Sequence, residues 1–351
     1  MNAVSGLRTI VLATIAASAV GCTALRHEAM PGAAKDIDDG SRSVRTARQQ
    51  DDWSTVWTAV YRNFHSAGFN GVDWRALKKT VADRIEAGLS EEEFTTLIDG
   101  TLARLDDAHT FYLDPEEAAA ELGYAREGSL AGLGLTVIRG GGDYAVVGVT
   151  FSGGPADRGG LVSHDRIHAI DGHAALGADG EPDVHRLRGQ PGTTAALIVS
   201  TPGHPEREAS LIREQVDAAA GCIKGRILED TGGHRIGYIL FATMAVPGAA
   251  DLVRAEFSRL SAQGPLDGLV LDLRINGGGD LAVLSSSLGM FMEGTYGKDK
   301  AQNSRHRTRY RTTGTGLGNS REVPMVVLVH EATSSAAELM AGALEIGRAH
   351  V

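Results

Sequence analysis

The chain has 351 residues, 42% of them hydrophobic and 22% charged, which is long enough for two or three domains with buried cores. Its net charge of −10, with no long basic run, argues against nucleic acid as the main partner. Two cysteines, Cys22 and Cys222, cannot organise a disulfide framework; no CxxC or HExxH pattern occurs and the histidines do not cluster at ligand spacing, so neither a metal nor an organic cofactor is expected.

Residues 1–22 read as a secretory signal peptide. Arg8 supplies a positive start, and Thr9 to Val20 is an apolar, alanine-rich run too short to span a bilayer comfortably. The run ends Ser18-Ala19-Val20-Gly21-Cys22, small residues before a cysteine, as in a lipoprotein cleavage box. Ala19 stands where leucine is commoner, so lipidation of Cys22 and ordinary cleavage nearby both stay open. Either outcome exports the protein to the periplasm, and lipidation would add membrane attachment. Residues 23–50 are polar and charge-mixed and read as a flexible tether.

Residues 51–124 predict a helical domain. Trp53, Trp57, Val60, Tyr61 and Phe64 share one helical face, Asp73 opens a helix over 74–87, and Ser90 with Glu93 forms a capping box for a helix over 91–105. Leu105-Asp106-Asp107-Ala108-His109-Thr110 closes the unit.

Residues 127–203 change to short β-like runs, 133–138, 144–149, 166–170 and 195–200, separated by glycine-rich turns. The order Gly132-Leu133-Gly134-Leu135, Gly154-Pro155-Ala156-Asp157-Arg158-Gly159-Gly160-Leu161, Asp165-Arg166-Ile167, Ala169-Ile170-Asp171-Gly172 and Leu187-Arg188-Gly189-Gln190-Pro191-Gly192-Thr193 resembles a PDZ domain. That resemblance implies capture of a peptide C-terminus as an added strand, with Gly132, Leu133, Gly134 and Leu135 as the carboxylate-binding loop. The plainer reading is that these glycines only make turns.

Residues 204–344 predict an α/β core. Strands over 235–241 and 268–274 and helices over 249–263 and 281–291 flank Asn276-Gly277-Gly278-Gly279-Asp280. Adjacent glycines between strand and helix let backbone amides crowd an anionic group, although a tight connection would need them equally. The apolar run Val326-Val327-Leu328-Val329 then leads through His330-Glu331-Ala332-Thr333-Ser334-Ser335 into a helix, so a hydroxyl residue sits where helix-start amides are free. Ser335 with Glu338 also fits a capping box, the plainer use of the same residues.

Taken together, the helical unit, the PDZ-like module, Gly237-Tyr238-Ile239, Asp272-Leu273-Arg274 with Asn276-Gly277-Gly278-Gly279, and the serine turn resemble the C-terminal processing (tail-specific) serine peptidases over about residues 52–344. The resemblance implies Ser335 as nucleophile. It implies an oxyanion hole from the Ala336 amide and the glycine run, Gly278 or more particularly Gly279, on a ClpP/crotonase-like α/β core. It also implies a lysine general base about two dozen residues beyond the serine. No lysine follows Lys300, and residues 345–351 look like adaptor read-through, so the core is expected to be incomplete. A related branch, resembling the tricorn core protease, uses a histidine in a motif like Leu105 to His109, which makes His109 the alternative base.

The expected architecture is multidomain α+β: a helical unit, a PDZ β-sandwich-like module and a partial peptidase core. The expected function is an exported serine endopeptidase acting on polypeptides with free C-termini. The alternatives are a PDZ scaffold with a degenerate core, a histidine-based tricorn-like peptidase, and a crotonase-type acyl enzyme on the shared fold.

Overall fold

The structure, a computed structural model, describes residues 42–107, 110–113, 128–177, 180–229, 232–298 and 309–348. The expected signal segment with Cys22, and His109, lie outside the described residues. The chain divides into two compact units, Met1–Leu122 with Lys298–Thr308, and Gly123–Gly297 with Arg309–Val351.

The first unit contains the helices Arg42–Asn63, Trp74–Glu86 and Glu91–Ala103. Asp73 caps the second through its carboxylate, which accepts from the Ala76 amide at 3.0 Å, and Ser90 and Glu93 cap the third reciprocally. The apolar face predicted from Trp53, Val60 and Phe64 is buried with Trp74, Ile85, Phe94, Ile98 and Leu102. Trp57 and Trp74 each donate an indole N–H to the other's carbonyl, at 2.8 and 3.1 Å, which satisfies two otherwise costly buried donors.

One boundary differs from expectation. The first helix begins at Arg42, inside the stretch 23–50 read as tether. Its polar residues are held by neighbours: Gln49 is fully buried and donates toward the Ser90 carbonyl, Gln50 donates to the Ala82 carbonyl at 2.8 Å, and Arg48 pairs with Glu91. Composition reads such residues as solvated, whereas these long side chains find backbone acceptors on the adjoining helices.

In the second unit, β1 (Ser129–Gly132) and β8 (Glu214–Asp217) pair antiparallel as a two-stranded stalk. Between them lies an antiparallel sheet of β2 (Leu135–Arg139), β3 (Ala145–Thr150), β4 (Arg166–Ile170), β6 (Thr194–Ser200) and β7 (Arg207–Ile212), in that order, with β5 (His173–Ala174) pairing β4. Its interior is Leu133, Val147, Ile167, Ile170, Leu197 and Val199. The expected domain end at 203 is therefore too early, because β7 completes this sheet by pairing along β6. Alternation in Arg207–Ile212 is masked by charged residues on the exposed face.

The remainder is a four-stranded sheet in the order β14 (Met325–Leu328), β11 (Gly268–Asp272), β10 (Arg235–Phe241), β9 (Ile223–Glu229). β14, β11 and β10 run parallel and β9 runs antiparallel to β10. β12 (Thr295–Lys298) and β13 (Arg309–Arg311) form a small ribbon. The helix Ala249–Ser261 covers β9 and β10, and the helices Leu281–Phe291 and Ala336–Arg348 pack beside it. Ile239, Phe241, Leu269, Leu271, Val253, Phe257, Leu288 and Met340 fill the space between. The last helix continues through residues 345–348, so the boundary expected at 344 has no structural counterpart.

Phe257 is fully buried and lies edge-on to Phe291 at a centroid distance of 6.4 Å. Phe257→Ala is expected to cost about 3–5 kcal/mol through lost transfer energy and a cavity. Val326 is half exposed on the sheet edge, and Val326→Thr is expected to stay within about 0.5 kcal/mol. Urea midpoints of the two variants against the parent check both.

Candidate active site

The parallel strands β10, β11 and β14 end at the same edge of the sheet, where ligand sites of open α/β sheets form. Three turns leave that edge: Thr243–Val246 after β10, Arg274–Asp280 after β11, and Val329–Ser335 after β14. Hydrogen bonds join the last two directly. Thr333 Oγ1 donates to the Leu273 carbonyl at 2.8 Å, the Ser334 amide to the Asn276 carbonyl at 3.1 Å, and Ser334 Oγ to the Gly277 carbonyl at 3.1 Å.

Ser335 is half-buried and adopts φ +54°, the left-handed region that non-glycine residues rarely occupy. Such a conformation costs of order 1–3 kcal/mol and persists only where surroundings impose it. Here the Ser335 amide donates to Glu338 Oε2 at 2.8 Å, and its carbonyl accepts from the Leu339 amide at 3.2 Å. The expected capping box is thus only half formed: Glu338 reaches back, but Ser335 Oγ caps nothing and bonds to no described residue. The left-handed backbone turns the hydroxyl away from the helix amides. Ala336 opens the thirteen-residue helix, and its amide likewise donates to no other described residue.

The glycine run meets this turn at backbone distance. A Cβ on Gly278, which has φ +92°, would stand 2.8 Å from Ser335 Cβ and 2.9 Å from the Ala336 nitrogen. A Cβ on Gly279, at φ +140°, would stand 2.2 Å from the Met244 carbonyl carbon. Met244 and Gly279 form a parallel bridge in which the Met244 amide donates to the Gly278 carbonyl and the Asp280 amide to the Met244 carbonyl. The N–H of Gly279 therefore points away from Met244, and it donates to no other described residue. The Gly278 amide, also expected as an oxyanion donor, is already bonded to Asn276 Oδ1 at 2.8 Å.

The glycine turn starts from a buried charge network. Asp272 accepts from Tyr238 Oη at 2.7 Å and from the Arg274 amide, Nε and Nη2 at 3.0, 3.0 and 2.6 Å. Burial alone would raise the Asp272 carboxyl; the Arg274 guanidinium, then the Tyr238 hydroxyl, outweigh it and hold it below the usual carboxylate range. The Tyr238 phenol is pushed up to about 12, first by burial and then by its bond to the Asp272 carboxylate, so it remains a donor at all ordinary pH.

Of the sequence-predicted residues, Ser335, Ala336, Gly278 and Gly279 come together. Gly132 and Leu133, expected to hold a peptide carboxylate, are committed elsewhere. Gly132 lies in the stalk opposite Glu214, while Leu133 is a core residue whose amide donates to the Leu187 carbonyl at 3.2 Å. Gly134, at φ +70°, and Leu135, which opens β2, are left at the rim of that loop. Asn276, Thr333 and Glu338 organise the site through hydrogen bonds to backbone groups, contacts that residue type alone does not reveal. Cys222 is no rival nucleophile, being fully buried with its thiol pushed up to about 12 by that burial.

Residues 235–350 match Peptidase family S41. The C-terminal processing peptidase of Tetradesmus obliquus chloroplasts is 29% identical, the match covering 83% of this chain and 64% of that protein. The carboxyl-terminal-processing protease of Picosynechococcus is 28% identical over 87% of this chain and 71% of its own. The carboxy-terminal processing protease CtpB of Bacillus subtilis is 28% identical over 71% of this chain and 50% of its own. The chain thus spans between half and about seven tenths of these relatives. The solved photosystem II D1 C-terminal processing protease superposes with a TM-score of 0.60 at 28% identity, over 85% of this chain and 78% of that one. By these matches the chain is similar to the C-terminal processing serine peptidases, with a mixed α/β, S41-peptidase-like fold.

Two outcomes follow from this geometry. Gly279→Ala forces a methyl into the Met244 backbone and is expected to lower stability by about 1–3 kcal/mol or more, whereas at Gly277 the nearest atom is Ser334 Oγ at 3.8 Å and Ala is expected to be accommodated; thermal melting of the two variants compares them. For Asp272, a lowered carboxyl contributes stability above the ordinary carboxylate range and loses it as pH falls through its depressed value. The stability gap between the parent and Asp272→Asn is therefore expected to be widest near neutrality and to close in acid, as read by urea unfolding across pH.

Proposed function

We propose that the protein is an exported serine endopeptidase in which Ser335 is the nucleophile. The observation that carries this is a serine held at φ +54°, with a free Oγ, backed by Gly278 and followed by an unpartnered helix-start amide at Ala336. On this reading Ser335 Oγ attacks the scissile carbonyl carbon, and the carbonyl π electrons move onto its oxygen. The Ala336 and Gly279 amides stabilise that oxyanion, preorganised by the backbone rather than recruited from solvent. A general base takes the Oγ proton and returns it to the leaving amine, and water then hydrolyses the acyl-enzyme. The family likeness favours a lysine as that base, with His109 as the alternative.

The β2–β7 module is proposed to be a PDZ domain that captures substrate C-termini. Its β2 is an edge strand, open to an added peptide strand, and the Gly134 amide at its mouth donates to no other described residue. The signal segment places this activity in the periplasm, with Cys22 as an optional lipid anchor.

Ser335→Ala in the complete gene product is expected to lower turnover of a disordered substrate more than about a thousandfold while leaving the fold intact, because no described residue bonds to its hydroxyl. Ser334→Ala removes only the bond to the Gly277 carbonyl and is expected to cost about 1 kcal/mol of stability and little turnover. Peptidase activity surviving in Ser335→Ala would refute the assignment. His109→Ala is expected to keep most activity; its loss there would instead assign the base to His109. Calorimetry on the Ser335→Ala protein should show a peptide with a free apolar C-terminus binding about tenfold more tightly than its amidated form, and equal affinities would remove carboxylate capture.

A further inference from the structure

Asn276 uses every polar atom it has, and each one joins a different part of the site. It is fully buried. Its amide donates to the Leu273 carbonyl at 3.0 Å, closing the turn after β11. Its Nδ2 donates to the Phe241 carbonyl at 2.7 Å, at the end of β10. Its Oδ1 accepts from the Gly278 amide at 2.8 Å, and its carbonyl accepts from the Ser334 amide at 3.1 Å. One residue, through its side chain and its backbone, thus connects the ends of two core strands, the glycine run and the residue before Ser335.

We propose that Asn276 is the positioning residue of the oxyanion hole: by binding the Gly278 amide it selects the Gly279 amide, paired with that of Ala336, as the donor to the developing oxyanion. The inference rests on the reading of Ser335 as nucleophile. Its physical basis is the parallel bridge between Met244 and Gly279, which turns the Gly278 carbonyl and the Asp280 amide toward Met244. With Gly278 N–H turned to Asn276 Oδ1 and Gly278 C=O turned to the Met244 amide, the Gly279 N–H points away from Met244 and donates to no other described residue. The Asn276 carbonyl simultaneously holds Ser334, so the separation between the glycine run and the Ser335–Ala336 turn is set by the same residue. An ionised aspartate could accept from Gly278 but could not donate to the Phe241 carbonyl, whereas the amide side chain does both from two separate atoms.

The test uses the complete gene product, labelled with 15N-glycine and 15N-alanine, and a tripeptide boronic acid that forms a tetrahedral adduct on a serine nucleophile. The amides of Gly279 and Ala336 are expected to shift and become protected from exchange in the adduct. The Gly278 amide is expected to be protected with or without the boronate. Asn276→Ala should lower kcat about a hundredfold, the scale of one oxyanion donor, and weaken boronate binding by the same factor, with KM little changed. Asn276→Asp, which keeps the acceptor, should recover part of that kcat. Val253→Ala, a cavity in the same core, should lower the melting temperature without moving kcat well below it. A Gly278 amide that responds to the boronate, or an Asn276→Ala enzyme with parental kcat and boronate affinity, overturns the proposal. If neither Asn276 variant folds, the amide measurement on the parent protein decides alone. A parent protein that forms no adduct, indistinguishable from Ser335→Ala, would instead refute the nucleophile and remove the proposal with it.

Discussion

Two turns lie so close at the end of the parallel sheet that no side chain fits at Gly278 between them. The Gly277–Gly279 turn and the Ser334–Ala336 turn are 57 residues apart in the chain, taking Gly277 and Ser334 as their hydrogen-bonded pair. A Cβ at Gly278 would collide with Ser335 and Ala336, and one at Gly279 with Met244. That approach is possible only because β11 and β14 are parallel neighbours in a single register, Asp272 opposite Leu328, so that both strands release their turns at the same height. A shift of one residue would carry the serine turn out of reach of the glycines and turn every core side chain of β14 outward.

Polar groups at this edge are satisfied almost completely, and where they are not, the exceptions fall together. Asp272, Arg274 and Tyr238 form a closed network at the start of the glycine turn, and Asn276 and Thr333 use their polar atoms on backbone carbonyls and amides. A buried carboxylate is tolerable at Asp272 because a guanidinium and a phenol stand against it. Among the groups without a partner in the described residues are Ser335 Oγ and the amides of Gly279 and Ala336. Well-bonded surroundings are what let the left-handed Ser335 persist, since its strain is offset by bonds on both sides of it.

The β2–β7 module is tied into the same unit. Its entry and exit strands pair as a stalk, and Phe151 at the end of β3 packs so closely on Gly221 that a Cβ there would stand 2.3 Å away. Lys224 Nζ donates to the Thr150 carbonyl at 2.9 Å, and a Cβ at Gly148 would touch Ile275, the neighbour of Asn276. The module is therefore a packed part of the second unit, not a bead on a linker. Its inner residues Val149 and Phe151 belong to the same apolar core as β10 and β11.

Local pattern determined much of this protein. The capped helices over Trp74–Glu86 and Glu91–Ala103, the strands β4 and β10, the helix Leu281–Phe291 and the strand-to-helix turn at Ser335 follow from periodicity, caps and glycine placement, all set within a few residues. Residues 42–50 and β7 were hidden, because long polar side chains and an exposed charged face become structured only against partners distant in the chain. The glycine run and the serine were legible as residues suited to an oxyanion and a nucleophile. That the Gly278 amide is taken internally was not, because that depends on Asn276 spanning Phe241, Gly278 and Ser334. Hydrogen bonds between segments tens of residues apart have no local signature, so only the tertiary structure could decide that the Gly278 N–H, among three neighbouring glycines, is bonded internally.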